Sequence, residues 1–190
     1  KTQSCLTLAV LATLPRNHGG LGGGVVYVDT EHAFSASRLM EVAVSRWPAL
    51  FTSAVEEKGL ISKVTVFNEA QTPQQLLRTL NTLEDILIGK DIKLLIVDSI
   101  AAPNRGHGGH GGGGAQVDHR FKTLASLASK LKYISQTFRI PVVVTNQIRS
   151  NYHAPGLGHE RDIPQAVADS YLSATLGVAW AHAVNTRFVL

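Results

Sequence analysis

The stretches VVYVDTE, Val25 to Glu31, and LLIVDS, Leu94 to Ser99, decide the fold, because each is an apolar run that ends in acid. Runs of Val, Ile and Leu without polar alternation are typical of central strands in a parallel sheet. A third run, VVVTNQ from Val142 to Gln147, also ends in polar side chains. Ligands of open α/β sheets bind at the carboxyl edge, so we expect these polar residues to gather in one site.

The rest of the chain alternates predicted helices and strands, which is the pattern of an α/β fold. Helical spacing of apolar residues predicts helices at Thr2 to Leu14 and at about Phe121 to Phe138. Capping signals predict two more. One is capped by Ser35 and ends at Pro48, and the other begins at the capping box Thr72-Pro73-Gln74-Gln75. Further apolar runs predict strands at Val64 to Phe67 and Thr186 to Leu190. Right-handed strand–helix–strand units then give a mostly parallel, twisted sheet flanked by helices.

Composition indicates one soluble domain. The chain has 190 residues, 44% of them hydrophobic, which is enough for a single buried core. Its net charge of +4 suits a polyanionic partner, although many soluble proteins carry a similar surplus. The single cysteine, Cys5, excludes an internal disulfide, and its apolar helical surroundings favour a core position. Without a signal peptide or a membrane-spanning run, we expect an intracellular protein.

The first two residues match the end of a phosphate-loop signature, G-x-x-x-x-G-K-[ST]. In such a loop a lysine holds the β- and γ-phosphates of ATP and a hydroxyl binds Mg²⁺, roles that Lys1 and Thr2 fit. Asp98 follows four apolar residues, as a Walker B acid does to reach Mg²⁺ directly or through water. Taken singly, a Lys-Thr pair is far more often an ordinary surface feature, while an acid such as Asp98 is as often a satisfied strand end. Their order along the chain favours an ATP site.

Two more polar residues have the chemistry that hydrolysis of a phosphate ester requires. Glu31 follows a strand end, where a carboxylate can orient the attacking water and accept its proton. The alternative is an acid that stabilises the positive end of the next helix. Gln147 can hydrogen-bond both a γ-phosphate and the loop that follows, although a turn amide is the simpler interpretation. The four sites together support an ATPase core.

Two irregular segments follow strands that end at this edge. The first, Arg105 to Gly114, reads RGHGGHGGGG and is too rich in glycine to pack, so we predict a mobile loop. Its residues His107 and His110 could bind a metal, but a solvated loop is the simpler interpretation. The second, Arg149 to Ala174, lacks clear periodicity, and loops of that length are usually functional or disordered.

The chain resembles the RecA-type recombinases of the eukaryotic branch over essentially all of its length. Blocks that match in order are KTQ, VYVDTEHAFSASRL, LLIVDS, IPVVVTNQI and LGVAWAHAVNTR. The sequences of these blocks are most similar to the B-type paralogue of the strand-exchange recombinase, while the block DSIAAP is also similar to another paralogue. The resemblance implies a RecA-like core that is truncated here at the phosphate loop and before the C-terminal strands. Because the loop glycines are absent, we expect the isolated 190-residue chain to bind ATP poorly.

The resemblance also implies roles for individual residues. It assigns Lys1 and Thr2 to the phosphate loop, Asp98 to Mg²⁺ binding and Glu31 to catalysis. It further assigns Arg38 to stacking near the adenine, Gln147 to coupling the γ-phosphate to DNA, and His182 to sensing the γ-phosphate across a subunit interface. Residues 105–120 and 148–174 correspond to the first and second DNA-binding loop regions, with Arg105, Arg120 and Arg149 as the DNA-binding arginines. The glycine and histidine tract departs from the family, since it supplies little charge or aromatic surface.

Three functions remain open at this point. The first is a nuclear, DNA-dependent ATPase of homologous-recombination repair that uses ATP and Mg²⁺, binds single-stranded or branched DNA, and acts with other paralogues on the recombinase filament. The second is a scaffold subunit whose bound nucleotide is rarely hydrolysed. The third is another RecA-fold motor, such as a ring helicase. The acids Glu31 and Asp98 favour hydrolysis over scaffolding, and the WAHAVNTR and TNQ blocks favour a recombinase over a helicase.

Overall fold

The computed structural model describes residues 1–104, 114–150, 172–174 and 176–189, and side chains at 1–103, 122–147, 176 and 180–189. Its main sheet has four parallel strands: β1 (Gly24–Asp29), β2 (Val64–Phe67), β3 (Ile92–Asp98) and β4 (Val142–Val144). The spatial order is β2-β1-β3-β4. The predicted α/β class with a mostly parallel sheet is therefore confirmed.

The register of the sheet brings the carboxyl ends of three strands to one level. Asp29 of β1 pairs with Asp98 of β3, and Val97 of β3 pairs with Val144 of β4. The backbone continues this alignment beyond the strands, because the Thr30 N–H donates to the Asp98 carbonyl over 2.9 Å. Polar residues that end different strands thus become spatial neighbours.

The described helices are α1 (Thr2–Thr13), α2 (Ala36–Arg46), α3 (Ala54–Ser62), α4 (Pro73–Gly89), α5 (Gly114–Phe138) and α6 (Gly177–Ala183). Helices α1 and α2 pack on one face of the sheet, against the buried side chains of Val25, Tyr27, Leu94 and Ile96. Helices α4 and α5 pack on the opposite face, and α6 lies against α5. Alternate residues of β1 and β3 therefore fill two cores, which explains their continuous apolar sequence.

Capping residues begin the helices where the sequence predicts. The Ser35 hydroxyl accepts the Arg38 N–H at the start of α2, and Thr72 forms a full capping box with Gln75 at the start of α4. The predicted apolar stripe of α4 is buried: Leu76, Leu80, Leu83 and Leu87. Cys5 is 1% exposed, so the predicted core position of this residue is confirmed.

A glycine makes the tight return from α1 to β1 possible. A Cβ atom on Gly20 would lie 2.0 Å from the Leu14 carbonyl oxygen, closer than any real contact. The backbone N–H of Gly22 also donates to that oxygen over 2.8 Å. The Gly19 to Gly24 turn therefore packs directly on the end of α1.

Several elements differ from the sequence-based prediction. Helix α3 was not predicted, because its capping box of Ser53 and Glu56 precedes a segment with only one buried side chain, Leu60. Helix α5 begins at Gly114, earlier than predicted. The strand predicted at Thr186 to Leu190 is wrong over the described residues 186–189, where Phe188 is 83% exposed and finds no pairing partner.

Short strands border the second predicted DNA-binding loop region. Strand β5 (Ile148–Ser150) pairs antiparallel with β6 (Leu172–Ala174), and Arg149 lies opposite Ser173. The irregular segment predicted at Arg149 to Ala174 therefore begins and ends in paired strand residues, and the assignment of 148–174 to DNA binding stays a prediction. Within the described part of the chain, no helix is long and apolar enough to cross a membrane.

Candidate active site

A cavity of about 210 Å³ lies at the carboxyl edge of the main sheet. Its walls come from the start of α1 and from the ends of β1, β3 and β4, and they consist of Lys1, Thr2, Glu31, Asp98, Ser99, Thr145 and Gln147. Five of the predicted site residues therefore meet in one place, although they come from four separate parts of the chain.

Lys1 and Thr2 stand at the amino end of α1. The Lys1 ammonium donates to the Asn146 carbonyl over 2.7 Å, which joins the start of the helix to the segment after β4. The amino end of a helix carries partial positive charge and unpaired N–H groups, so it attracts anions. Together with the lysine, this end of the cavity is suited to phosphate.

Asp29 holds the turn that presents Glu31 to the cavity. Its Oδ1 atom accepts the backbone N–H groups of Glu31 and Ala33, each over 3.2 Å, and its Oδ2 atom accepts that of Phe34 over 2.8 Å. The Asp29 side chain is 3% exposed, so its three bonds replace the water that burial removes. Asp29, the last residue of β1, therefore holds the turn that follows the strand in one conformation.

Glu31 joins the ends of the other two strands. Its Oε1 atom accepts the Ser99 hydroxyl over 2.7 Å and the Gln147 side-chain amide over 3.0 Å. Ser99 follows β3, and Gln147 precedes β5. A carboxylate held at one oxygen by two donors has a defined direction, which a general base requires.

Asp98 is 4% exposed and is held by two hydroxyl groups. Tyr27 donates to its Oδ2 atom over 2.7 Å, and Thr145 donates to its Oδ1 atom over 2.5 Å. Burial, and then the charge of Asp98, raise the pKa of Tyr27, which therefore remains protonated as a donor. Burial and the same charge raise the pKa of Cys5, one turn into α1, to about 12.

Other predicted residues lie apart from the cavity. Arg38 donates through Nε and Nη2 to the Gln3 side-chain amide oxygen, Oε1, over 3.2 and 3.0 Å, and it forms an ion pair with Glu41. His182 is exposed in the last turn of α6. Neither Arg38 nor His182 is among the described residues that line the cavity.

The predicted DNA-binding arginines are described only in part. Arg105, like His107 and His110, lies outside the described residues. Arg120 lies on the backbone of α5, so the first loop region as predicted extends into a helix, and Arg149 lies on the backbone of β5. Among the residues that the structure describes, no group of three or more His, Cys, Asp or Glu side chains could hold a metal ion.

Sequence reasoning missed four residues that build the site: Asp29, Tyr27, Ser99 and Thr145. Tyr27 carried the clearest signal, because a buried tyrosine in an aliphatic strand needs a hydrogen-bond partner for its hydroxyl. Asp29 is the last residue of β1, and Ser99 and Thr145 directly follow β3 and β4. A search that included hydroxyl groups beside the strand ends, and not only acids and amides, would have found Ser99 and Thr145.

The donor set fits a Mg²⁺-bound triphosphate. The cavity combines the Lys1 ammonium group, a helix amino end, three hydroxyl groups, one side-chain amide and two carboxylates. Magnesium keeps several waters and typically takes only one or two protein oxygens beside the phosphates. Asp98 and Thr2 can supply such oxygens, while Lys1 and the start of α1 complement the phosphate charge.

A sequence profile of the Rad51 family matches residues 1–190, the full length of the chain. The chain belongs to the Rad51 family. It is 44% identical over 203 aligned residues to the human protein named DNA repair protein RAD51 homolog 2, with all of this chain and 51% of that protein covered. It is also 44% identical to the mouse protein of that name, with all of this chain and 56% of that protein covered.

A second type of relative extends the comparison. The mouse protein named DNA repair protein XRCC3 is 33% identical, with all of this chain and 53% of that protein covered. The chain thus spans about half the length of the curated relatives it matches. The predicted RecA-type recombinase family and its paralogue branch are confirmed, and the parallel sheet is the RecA-like core of the Rad51 family. Membership of the Rad51 family favours a recombinase paralogue over the third open function, another RecA-fold motor such as a ring helicase.

Proposed function

We propose that this chain is the ATPase core of a recombinase paralogue that acts in homologous-recombination repair of double-strand breaks. It helps to load or stabilise the recombinase filament. The observation that carries the proposal is the convergence of Lys1, Thr2, Glu31, Asp98 and Gln147 on one small cavity. Relatives that bear DNA-repair names support this biological setting, and a nuclear location is part of the proposal.

Binding of ATP depends on the two ends of the cavity. Lys1 leaves the Asn146 carbonyl and neutralises phosphate oxygens, while the N–H groups at the start of α1 complete the phosphate site. Thr2 and Asp98 hold Mg²⁺. When bound, this ion neutralises phosphate charge and orients the terminal phosphate. The lysine, hydroxyl and carboxylate groups that line the cavity suit phosphate and Mg²⁺, so we assign the cavity to the phosphates of ATP.

Hydrolysis depends on Glu31. Its carboxylate orients a water molecule for in-line attack on the γ-phosphorus and accepts the proton that this water loses. The bond from the γ-phosphorus to the bridging oxygen breaks, which leaves ADP and phosphate. Ser99 and Gln147 keep the Glu31 carboxylate in place through its Oε1 atom, so the base is oriented before the water binds.

DNA binding depends on residues 105–120 and 148–174. We assign Arg105, Arg120 and Arg149 to phosphate contacts with single-stranded or branched DNA, which gives salt-sensitive and largely sequence-independent affinity. The net charge of +4 supports such contacts. The protein partners in this proposal are other recombinase paralogues and the recombinase filament.

The proposal is tested by ATP turnover of the full-length protein with and without single-stranded DNA. We expect slow, Mg²⁺-dependent turnover that rises when DNA is added, and slower dissociation of recombinase filaments in its presence. If nucleotide stays bound without turnover under both conditions, the protein is a nucleotide-bound scaffold instead. Absence of Mg²⁺-dependent nucleotide binding would refute both functions.

A further inference from the structure

Asp98 is a buried carboxylate whose two oxygens are each held by a different neighbouring strand. Tyr27 reaches Oδ2 from β1 over 2.7 Å, and Thr145 reaches Oδ1 from beyond β4 over 2.5 Å. Each carboxylate oxygen has two acceptor positions, so one position on each oxygen is used and one remains. Since Asp98 lines the cavity, the remaining positions are the ones available to a ligand there.

Tyr27 is a hydrogen-bond donor whose side chain is held rigidly by the core. Its side chain is fully buried, and its ring packs on Phe34 with the ring centres 5.0 Å apart. Its hydroxyl donates to the Asp98 Oδ2 atom over 2.7 Å, from a ring that the core holds in place. A phenylalanine would satisfy the packing of this position, so packing does not account for the hydroxyl.

We propose that Tyr27 and Thr145 are positioning residues that fix the Asp98 carboxylate for Mg²⁺·nucleotide. The terminal torsion of an aspartate is broad, so a free carboxylate rotates easily. Two donors on opposite oxygens remove that freedom and set the plane of the carboxylate before the metal arrives. Partners that orient a metal ligand typically change metal affinity or activity by 10- to 100-fold when removed. The inference depends on the proposed ATP site.

The decisive variant is Tyr27→Phe, which deletes one oxygen and keeps the ring. The measurement is the affinity of a fluorescent ATP analogue for the full-length protein, titrated across Mg²⁺ concentrations and repeated in EDTA. For Tyr27→Phe we expect the Mg²⁺ concentration that gives half of the maximal nucleotide affinity to rise about tenfold. The nucleotide affinity in EDTA should not change. Tyr133→Phe is the matched control, since Tyr133 is 45% exposed on α5, and it should follow the wild-type curve.

A pair of substitutions at Thr145 makes the test independent of Tyr27 and of its effect on folding. Thr145→Val keeps the shape and removes the donor, whereas Thr145→Ser keeps the donor and removes a methyl group. We expect the valine variant to shift the Mg²⁺ dependence as Tyr27→Phe does and the serine variant to remain near wild type. The melting temperature of each variant, measured without nucleotide, identifies any that fail to fold.

The outcomes separate this inference from the proposed function. If the wild-type protein shows no Mg²⁺-dependent nucleotide binding, the proposed function itself fails. If the wild type binds and both Tyr27→Phe and Thr145→Val follow its Mg²⁺ curve, the positioning role is overturned and the proposed function stands. Equal loss of affinity with Mg²⁺ and in EDTA also overturns it, because that result indicates a general structural role.

Discussion

The side-chain amide of Gln147 donates to the Glu31 carboxylate over 3.0 Å, although the two residues are 116 positions apart in the chain. Glu31 follows β1 and Gln147 lies just beyond β4, on either side of the central strand β3. Ser99, which follows β3, donates to the same carboxylate oxygen. A single oxygen atom therefore connects the ends of three strands, and the predicted base is joined to the segment that leads into the predicted second DNA-binding loop region.

Glu31→Gln should separate nucleotide binding from hydrolysis. A glutamine has nearly the same shape, and its carbonyl oxygen can still accept the Ser99 hydroxyl, so the cavity is preserved. It cannot accept a proton from water, and we expect turnover to fall about 10²- to 10⁴-fold, with Mg·ATP affinity nearly unchanged. Single-turnover hydrolysis and nucleotide titration measure the two quantities. Glu57→Gln on α3 is the control, and normal turnover in Glu31→Gln would remove the general-base assignment.

Lys1→Ala and Asp98→Ala should both weaken Mg·ATP binding, but in different ways. The lysine charge acts on phosphate, so its loss should weaken binding with Mg²⁺ and in EDTA alike. The Asp98 carboxylate acts through the metal, so its loss should weaken binding only when Mg²⁺ is present. Calorimetric titrations under both conditions measure this difference. Identical behaviour of the two variants would contradict the assignment of one residue to phosphate and the other to Mg²⁺.

Most of the core and much of the site were predictable because they depend on local signals. The strand ends at Asp98 and Glu31 follow from apolar runs that stop on an acid, and the cap at Thr72 follows from a short motif. Parallel strands then bring their carboxyl ends together without any further information. This is why Lys1, Glu31, Asp98 and Gln147 were expected to meet and do meet in one cavity.

The parts that were not predictable depend on register between distant strands. Tyr27 reaches Asp98 because β1 and β3 pair with Tyr27 opposite Ile96, a relationship that no local pattern contains. The pairing of β5 with β6 is likewise non-local, since three-residue strands carry no period of their own. The exposed Phe188 misled the prediction of a last strand, because an apolar run was taken as evidence of burial.

Two glycine substitutions should change stability in opposite directions. Gly20→Ala places a methyl group 2.0 Å from the Leu14 carbonyl, so the turn must move, and we expect a loss of about 1–3 kcal/mol in the free energy of unfolding. Gly59→Ala meets no atom within 4 Å on exposed α3, and we expect a gain of about 0.5–1 kcal/mol. Urea denaturation of both variants measures these changes. Equal effects would show that the close approach at Gly20 is not rigid.

Cys5 should be unreactive until the protein unfolds. Its pKa is raised by burial and by the Asp98 charge to about 12, so the folded thiol stays neutral at pH 8 and thiol reagents need the thiolate. The unfolded thiol ionises near its ordinary pKa of 9.0, so this residue's contribution to stability falls as pH rises from there toward 12. Because the chain has one cysteine, labelling with a chromogenic disulfide reports on this site alone. Rapid labelling without denaturant would contradict the buried position.

The last prediction concerns the link between nucleotide and DNA. Gln147 lies between β4 and β5, so it connects the cavity to the strand that carries Arg149. Strand β5 is paired with β6, and α6 with His182 follows β6 in the chain. A γ-phosphate that displaces Gln147 from Glu31 therefore acts on one border of the second loop region. Nucleotide can change DNA affinity only if the loop makes different contacts in the two states.

We expect ATP to tighten binding of single-stranded DNA relative to ADP, by roughly 5- to 150-fold for a typical coupling. Gln147→Ala should remove most of this difference and leave ATP affinity largely intact, while Gln74→Ala, exposed on α4, should not. Arg149→Ala should weaken DNA binding in both nucleotide states and flatten its salt dependence, because one phosphate contact is lost. Fluorescence anisotropy across salt concentrations measures all four proteins. Equal DNA affinity of the wild type with ATP and with ADP would exclude the coupling and favour a scaffold whose nucleotide is structural.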